Sequence, residues 1–304
     1  MSASADRTAS QHPERPGTGA PTSPRSDRVK AVRRLTGRSA RLREGAFVAE
    51  GPQSVREAVL AHRDRALGAP GAPGAAPVVQ AVYATDQALD RHPDIAAGLD
   101  DAGLRAVRVA PEVLAAMTDT VTPQGIIAVC RLIDAPLATV IERRPRLVAV
   151  LAQVRDPGNA GTVIRAADAA GADAVILTDS SVDVHNPKCV RSTAGSLFHL
   201  PVVTGVPLAE AVAGLHAAGL VVVAADGAGA LDLDELQDDG PAGLLAGRVA
   251  WLFGNEAWGL PEADRALADA VVRVPVHGRA ESLNLATAAT VCLYATARVQ
   301  RRTG

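Results

Sequence analysis

The chain has 304 residues, with 31 Lys and Arg against 33 Asp and Glu for a formal net charge of −2, enough for two ordinary domains and with a global balance that names no partner. Cys130, Cys189 and Cys292 stand far apart in no Cys-x-x-Cys pattern, which argues against a disulfide framework or a zinc site, calls for no metal and fits a reducing compartment. No segment reaches the roughly 18 to 20 uninterrupted apolar residues of a membrane span and the N-terminus lacks the apolar core of a signal peptide, so a cytoplasmic protein without membrane association is expected.

Residues 1–27, rich in Ser, Thr, Pro, Gly and Ala, hold too few large apolar side chains to offset the entropy of ordering and are expected to form a disordered tail. Residues 28–43 then carry Arg28, Lys30, Arg33, Arg34, Arg38, Arg41 and Arg43 with no acidic residue among them. That is either an electrostatic footprint for phosphates or a solvated helix face. From 28 to 135 short apolar runs alternate with helical stretches: strands at 47–49, 78–84, 105–109 and 126–131, helices at 53–62 and 111–117. This alternation predicts a small α/β domain, with the Gly/Ala/Pro stretch 68–77 as a mobile surface loop. Residues 136–146, flanked by prolines, read as a linker.

A second α/β domain is predicted over 147–304, with strands at 147–152, 175–177, 202–203, 220–224, 249–253 and 271–274. Helical runs between them make its sheet mostly parallel, and ligands in such sheets bind beyond the carboxyl ends of the strands. After its first strand, Asp156-Pro-Gly is turn chemistry and Asn159 can cap a helix running to residue 170. Arg165 lies on that helix among apolar neighbours, where its planar fork could grip a phosphate or pair with Asp168. The segment 186–196 offers Lys188, Arg191 and Ser192 to a nucleic-acid backbone. Asp226-Gly227-Ala-Gly229 has the flavour of a dinucleotide loop but lacks the third glycine. His185, His199 and His277 are scattered rather than spaced for a metal.

The strand 249–253 stops at Gly254, and without Cβ atoms at Gly254 and Gly259 the backbone there can approach a flat polar group such as adenine. Asn255 and Glu256 sit at the tip of that loop, and Trp258 shapes its rim. The run 271–274 ends at Pro275, and a long helix is predicted over 283–299 with Ser282 as its N-cap. Ser282 and Asn284 therefore admit both a capping and a functional reading.

Taken together these stretches resemble the three signature motifs of the SpoU family of RNA ribose 2'-O-methyltransferases, of the SPOUT class: Asn159-x-Gly161-x-x-x-Arg165 with Gly171, then Gly254-Asn255-Glu256-x-x-Gly259, then Pro275 with Ser282-Leu283-Asn284. Phe47-Val-Ala-Glu50-Gly51-Pro and Pro123-Gln124-Gly125-Ile126 are similar to marks of the family's substrate-binding domain, which resembles a ribosomal-protein (L30e-like) RNA-binding fold. The resemblance spans residues 28–298. It implies a trefoil knot in the second domain, with helices on both faces of its sheet and residues 282–298 tucked through a loop containing 251–259.

It also implies S-adenosylmethionine as cofactor, held near Leu252, Gly254, Asn255, Gly259, Val274, Pro275, Ser282 and Leu283, with its methyl passing to a ribose hydroxyl. Arg165 would be the motif-one catalytic arginine. A guanidinium in water keeps its proton to above roughly pH 12, so stabilising charge and clamping phosphate are the roles expected of it. Glu256 would handle a proton or order Asn284, while Asn159, Ser282 and Asn284 position the nucleotide. Family members act as homodimers in which the arginine of one subunit reaches the pocket of the other. RNA would be met by Arg33, Arg34, Arg38, Arg41, Lys188, Arg191 and Ser192. The expected substrate is 23S ribosomal RNA; the alternatives are transfer RNA and a non-catalytic RNA-binding or ribosome-assembly role.

Overall fold

Short β-branched runs and the helices between them build two sheets in the computed structural model, which describes residues 21, 23–67 and 77–303. The remainder of the expected tail 1–27, and the expected loop 68–77 as far as residue 76, lie outside the described residues. The end of that tail is helical: α1 (Asp27–Arg34) begins at Asp27, and the Ser26 side chain accepts from the Val29 N–H at 3.4 Å. There follow α2 (Arg38–Glu44), β1 (Ala46–Glu50), α3 (Pro52–Ala66), β2 (Val79–Ala84), α4 (Asp86–Arg91), α5 (Pro93–Asp101), β3 (Ala106–Arg108), α6 (Pro111–Ala115) and β4 (Ile126–Arg131). The first sheet has the order β1-β4-β2-β3, with β4 antiparallel to both its neighbours and β2 parallel to β3.

The stretch read as a linker carries α7 (Leu137–Glu142), whose Val140 is buried in the core of the second half. Beyond it come β5 (Leu147–Leu151), α8 (Pro157–Ala170), β6 (Ala174–Thr178), α9 (Pro187–Thr193), β7 (Val202–Val206), α10 (Leu208–Ala217) and β8 (Val221–Ala225). The chain closes with β9 (Leu231–Asp232), α11 (Leu233–Asp238), β10 (Val249–Phe253), α12 (Glu262–Arg265), β11 (Ala270–Arg273) and α13 (Leu285–Thr303). The second sheet runs β7-β6-β5-β10-β8-β11-β9, and all its pairings are parallel. The two-residue strand β9 is too short to leave a period in the sequence.

Side-chain alternation along β5 explains why helices cover both faces. Leu147, Ala149 and Leu151 pack into a core with Val163 and Ile164 of α8 and Leu293 of α13, whereas Val148 and Val150 pack with Val212 and Leu215 of α10. The helix α13 is pinned to the central strand β10, because the buried Trp251 indole N–H donates to Thr296 Oγ1 at 2.8 Å.

The two halves share one core. Phe47 of β1 stacks on Phe198 with centroids 6.1 Å apart, and both belong to the cluster that contains α8. This contact surface corrects one expectation: Arg41, read as facing RNA, is only 2% exposed. Its guanidinium donates to Asp183 Oδ2 at 2.6 Å and to the Leu35 and Thr36 carbonyls at 2.9 and 2.7 Å. A buried guanidinium must be matched by charge and acceptors, and this one is matched from within the chain. Nearby, His199 joins α8 to α3 by contacts to Asp168 at 2.7 Å and Glu57 at 3.1 Å.

Candidate active site

Three carboxyl-terminal ends of the parallel sheet converge on one place. The turn after β5 leads into α8, the loop after β10 spans Gly254 to Gly259, and the segment after β11 leads into α13. The turn is held by an unusual backbone: Gln153 has φ 53°, its N–H donates to Thr178 Oγ1 at 3.0 Å and its carbonyl accepts from Asn255 Nδ2 at 2.7 Å. Asp156, not Asn159, is the N-cap of α8, accepting from the Asn159 N–H at 2.8 Å. The Lys188 ammonium, 2.9 Å away, and that backbone N–H hold the Asp156 carboxyl below the usual carboxylate range.

Freed from capping, the Asn159 side chain links the three segments. Its Nδ2 donates to Glu256 Oε1 at 3.2 Å, and its Oδ1 accepts from Asn284 Nδ2 at 3.1 Å. Glu256 also accepts from the backbone N–H groups of Arg155 and Asp156 at 3.4 and 3.3 Å. Asn284 is the residue that caps α13: its Oδ1 accepts from the Ala286 and Thr287 N–H groups at 2.9 and 3.4 Å. Ser282, expected to do so, is exposed and lies ahead of the helix. A single asparagine thus caps a helix with its oxygen and reaches Asn159 with its nitrogen.

The Gly254 loop is folded back on itself by paired backbone hydrogen bonds between Asn255 and Gly259 at 2.9 and 3.0 Å. A Cβ on Gly254 would lie 2.5 Å from the Gly259 carbonyl oxygen and 2.6 Å from the Leu260 nitrogen, so only glycine fits. Beside this loop opens a cleft of about 460 Å³, a volume in the range of small-molecule sites. Of the expected cofactor-binding residues, Gly254, Asn255, Gly259, Val274, Ser282 and Leu283 line it. Leu252 does not: it is fully buried and packs in the core on the face of α10. Pro275 is not part of the lining either, whereas Val276 on its far side is. The lining also takes in Asp226 and Gly227 after β8, the stretch whose glycines resembled a dinucleotide loop. That composition was the available signal; what it lacked was the parallel pairing of β8 with β10, which sets the two loops side by side.

The remaining expected residues are distributed differently. Arg165 is exposed, lies outside the cleft lining and finds no acceptor among the described residues; Asp168, the alternative partner, is taken by His199. At six residues past Asn159 it stands about 9 Å further along α8 and roughly 120° around it, on the solvent side. Arg33 is paired with Asp119 at 2.6 Å and Arg191 with Glu50 at 3.3 Å, Ser192 Oγ donates to the Lys188 carbonyl, and Arg34 and Arg38 are exposed. Gly161, the glycine of the first motif, is an interhelical contact: a Cβ there would sit 2.5 Å from the Cys189 carbonyl oxygen on α9. All three cysteines are buried and free, and burial pushes their thiols up, Cys189 to about 12, so none offers a thiolate nucleophile.

Residues 146–294 match the model of the SpoU rRNA methylase family, and residues 26–128 match an MRM3-like substrate-binding domain. A 23S rRNA (guanosine(2553)-2'-O)-methyltransferase of Bacillus subtilis is 34% identical over 274 residues, covering 90% of this chain and 96% of the relative. The chain is a member of the SpoU family. Another relative, a 23S rRNA (uridine(2479)-2'-O)-methyltransferase of Streptomyces viridochromogenes, is 37% identical over 66% of this SpoU chain and 71% of its own. Among solved structures, an AdoMet-bound rRNA methyltransferase of Sinorhizobium meliloti superposes with a TM-score of 0.74 at 30% identity, covering 91% of the SpoU chain and 96% of its own. The SpoU methyltransferase AviRb of Streptomyces viridochromogenes, in complex with AdoMet, gives 0.72 at 30% identity, covering 92% and 100%.

The cleft of this SpoU member fits that cofactor. Phe253, Val274, Leu283 and Leu285 give it apolar walls, and Asp226 and Glu281 put carboxylates on the lining for a molecule that carries a sulfonium and an ammonium.

Proposed function

We propose that this protein transfers the methyl group of S-adenosylmethionine to a ribose 2'-hydroxyl of 23S ribosomal RNA. The observation that carries the reading is the chain of hydrogen bonds from Glu256 through Asn159 to Asn284, which ties all three motif segments together beside the cleft. The cofactor supplies the electrophilic methyl; the protein's part is to position the acceptor oxygen and to meet the negative charge that develops there. Asn159, Asn284 and Ser282 orient the nucleotide, and Glu256 serves by ordering the two asparagines.

Arg165 supplies the positive charge, and it does so across a two-fold axis. Its exposure, its lack of an acceptor among the described residues and its place outside the lining of its own cleft support this. So do the exposed Val291 and Tyr294 on α13, the helix that packs on α8, which offer an apolar face to a second copy. Mixing Arg165→Ala protein with Asn284→Ala protein tests the arrangement: each alone should be inactive, and activity should return on mixing because heterodimers contain one intact composite site. Failure to complement, with both variants dimeric, would sink the shared site.

The domains divide at 28–135 and 147–304; the first resembles a ribosomal-protein fold and meets RNA through Arg34 and Arg38, and the second adds the face of α9 bearing Lys188. Residues 282–298 pass through the loop containing 251–259, a threading that the central position of β10 and the Trp251–Thr296 hydrogen bond support. The reaction belongs to the cytoplasm. The test is direct: 23S rRNA transcribed in vitro should take up labelled methyl from S-adenosylmethionine at a ribose oxygen, and transfer to tRNA in its place would redirect the reading.

A further inference from the structure

The protein has two Trp, two Tyr and three Phe, and all of them except Trp258 and Tyr294 are buried. Trp258 is 50% exposed on the lining of the cofactor cleft. Leaving an indole half in water at a cleft mouth forgoes the burial that every other aromatic except Tyr294 obtains, and the ring nonetheless has a partner. The Arg155 guanidinium lies over it, 5.2 Å from the ring centroid. Arg155 comes from the turn before α8 and Trp258 from the loop after β10, and Glu256 clamps the two segments by accepting the Arg155 and Asp156 backbone N–H groups. The ring therefore stands two residues from Glu256, whose carboxylate accepts from Asn159, which in turn accepts from Asn284.

An indole with a guanidinium over it combines two of the groups on which unstacked nucleobases settle, an aromatic face and a planar cation that also attracts phosphate. We propose that the Trp258–Arg155 pair is the stacking seat for a nucleobase of the RNA at the cleft mouth, fixing the strand so that its ribose enters beside Asn159 and Asn284. This deepens the proposed reaction and rests on it. Because every base has a π-face, the seat holds the strand without choosing its sequence.

The test uses the full-length protein with transcribed 23S rRNA and S-adenosylmethionine. Trp258→Ala should lower kcat/KM for the RNA by roughly 10- to 100-fold while calorimetry finds the S-adenosylmethionine Kd within about twofold of the parent. Trp258→Phe should recover most of the loss and Trp258→Leu should not. RNA should quench the tryptophan emission of the parent, and the quench should vanish in Trp258→Phe. The proposal is overturned if Trp258→Ala keeps the parent's RNA kinetics, if its cofactor affinity falls in step with kcat/KM, or if Leu serves as well as Phe. Absence of methyl transfer by the parent would overturn the reaction itself, and the quench would still decide whether the ring meets RNA.

Discussion

Gly161→Ala probes why the first motif carries a glycine in the middle of a helix. The added methyl would lie 2.5 Å from the Cys189 carbonyl oxygen, 2.6 Å from Ser192 Cβ and 3.2 Å from the Thr193 nitrogen. Two of these are backbone atoms of α9 that cannot rotate aside. Reaching ordinary contact at 3.4 Å from the nearest requires α8 and α9 to part by about 0.9 Å, and both helices are packed into the shared core, α8 through Val163, Ile164 and Ala167 and α9 through Cys189 and Val190. Such overpacking costs about 1–3 kcal/mol, and the better helix propensity of alanine returns up to about 1 kcal/mol. The net expectation centres on a loss of about 1–2 kcal/mol, or a fall in Tm of roughly 2–3 °C for a chain of this size. Calorimetric melting of the variant beside the parent measures it, and RNA affinity should fall in parallel because Lys188 and Arg191 ride on α9. An unchanged or raised Tm would refute the steric account and leave the glycine to be explained by ligand contact.

Arg165→Ala should reduce methyl transfer by roughly 100-fold or more with no change in Tm, since the side chain is exposed and finds no acceptor among the described residues; a comparable loss of Tm would show that it has a structural role. Asn284→Ala should lower stability by about 1 kcal/mol through loss of the α13 cap, whereas Ser282→Ala should leave the melt unchanged; equal effects would mean the cap is misassigned. Arg41→Ala leaves the partly buried Asp183 without its guanidinium and the Leu35 and Thr36 carbonyls without their donor, and should cost about 3 kcal/mol, while Arg38→Ala should spare the melt and flatten the salt dependence of RNA binding. Burial pushes the His199 imidazole down, but its hydrogen bonds to Asp168 and Glu57 outweigh this and the net direction is up. Its contribution is therefore full below about pH 6.5 and is lost as pH rises through the raised folded value. The parent's Tm should fall relative to that of His199→Gln over this interval, and parallel curves would exclude the bridge as a source of pH dependence.

Much of the architecture is local and so was readable from the sequence. Strands such as 126–131 and 249–253 are continuous β-branched and apolar runs bounded by glycine or polar residues, and the structure ends them where the run ends. The three motif segments follow strand ends for the same reason. Which side chain does what within them was decided elsewhere. Asn159 and Ser282 were plausible caps because any Asn or Ser near a helix start can accept a backbone N–H. Asp156 and Asn284 took those places once the Glu256 loop, about a hundred residues from the first and closed by the Asn255–Gly259 pairing, fixed how the segments meet.

Arg41 makes the same point about charge. A run of arginines without acidic neighbours announces a basic surface, yet Asp183 lies 142 positions away in the chain and removes one arginine from it. The sequence by itself determined the periodicities, the small residues that let backbones approach and the order of the motifs, because these depend on neighbours a few positions apart. Only the tertiary structure decided which loops share the cleft, which charges are matched internally and which face Arg165 presents, because each depends on pairings between strands and helices that are remote in the chain.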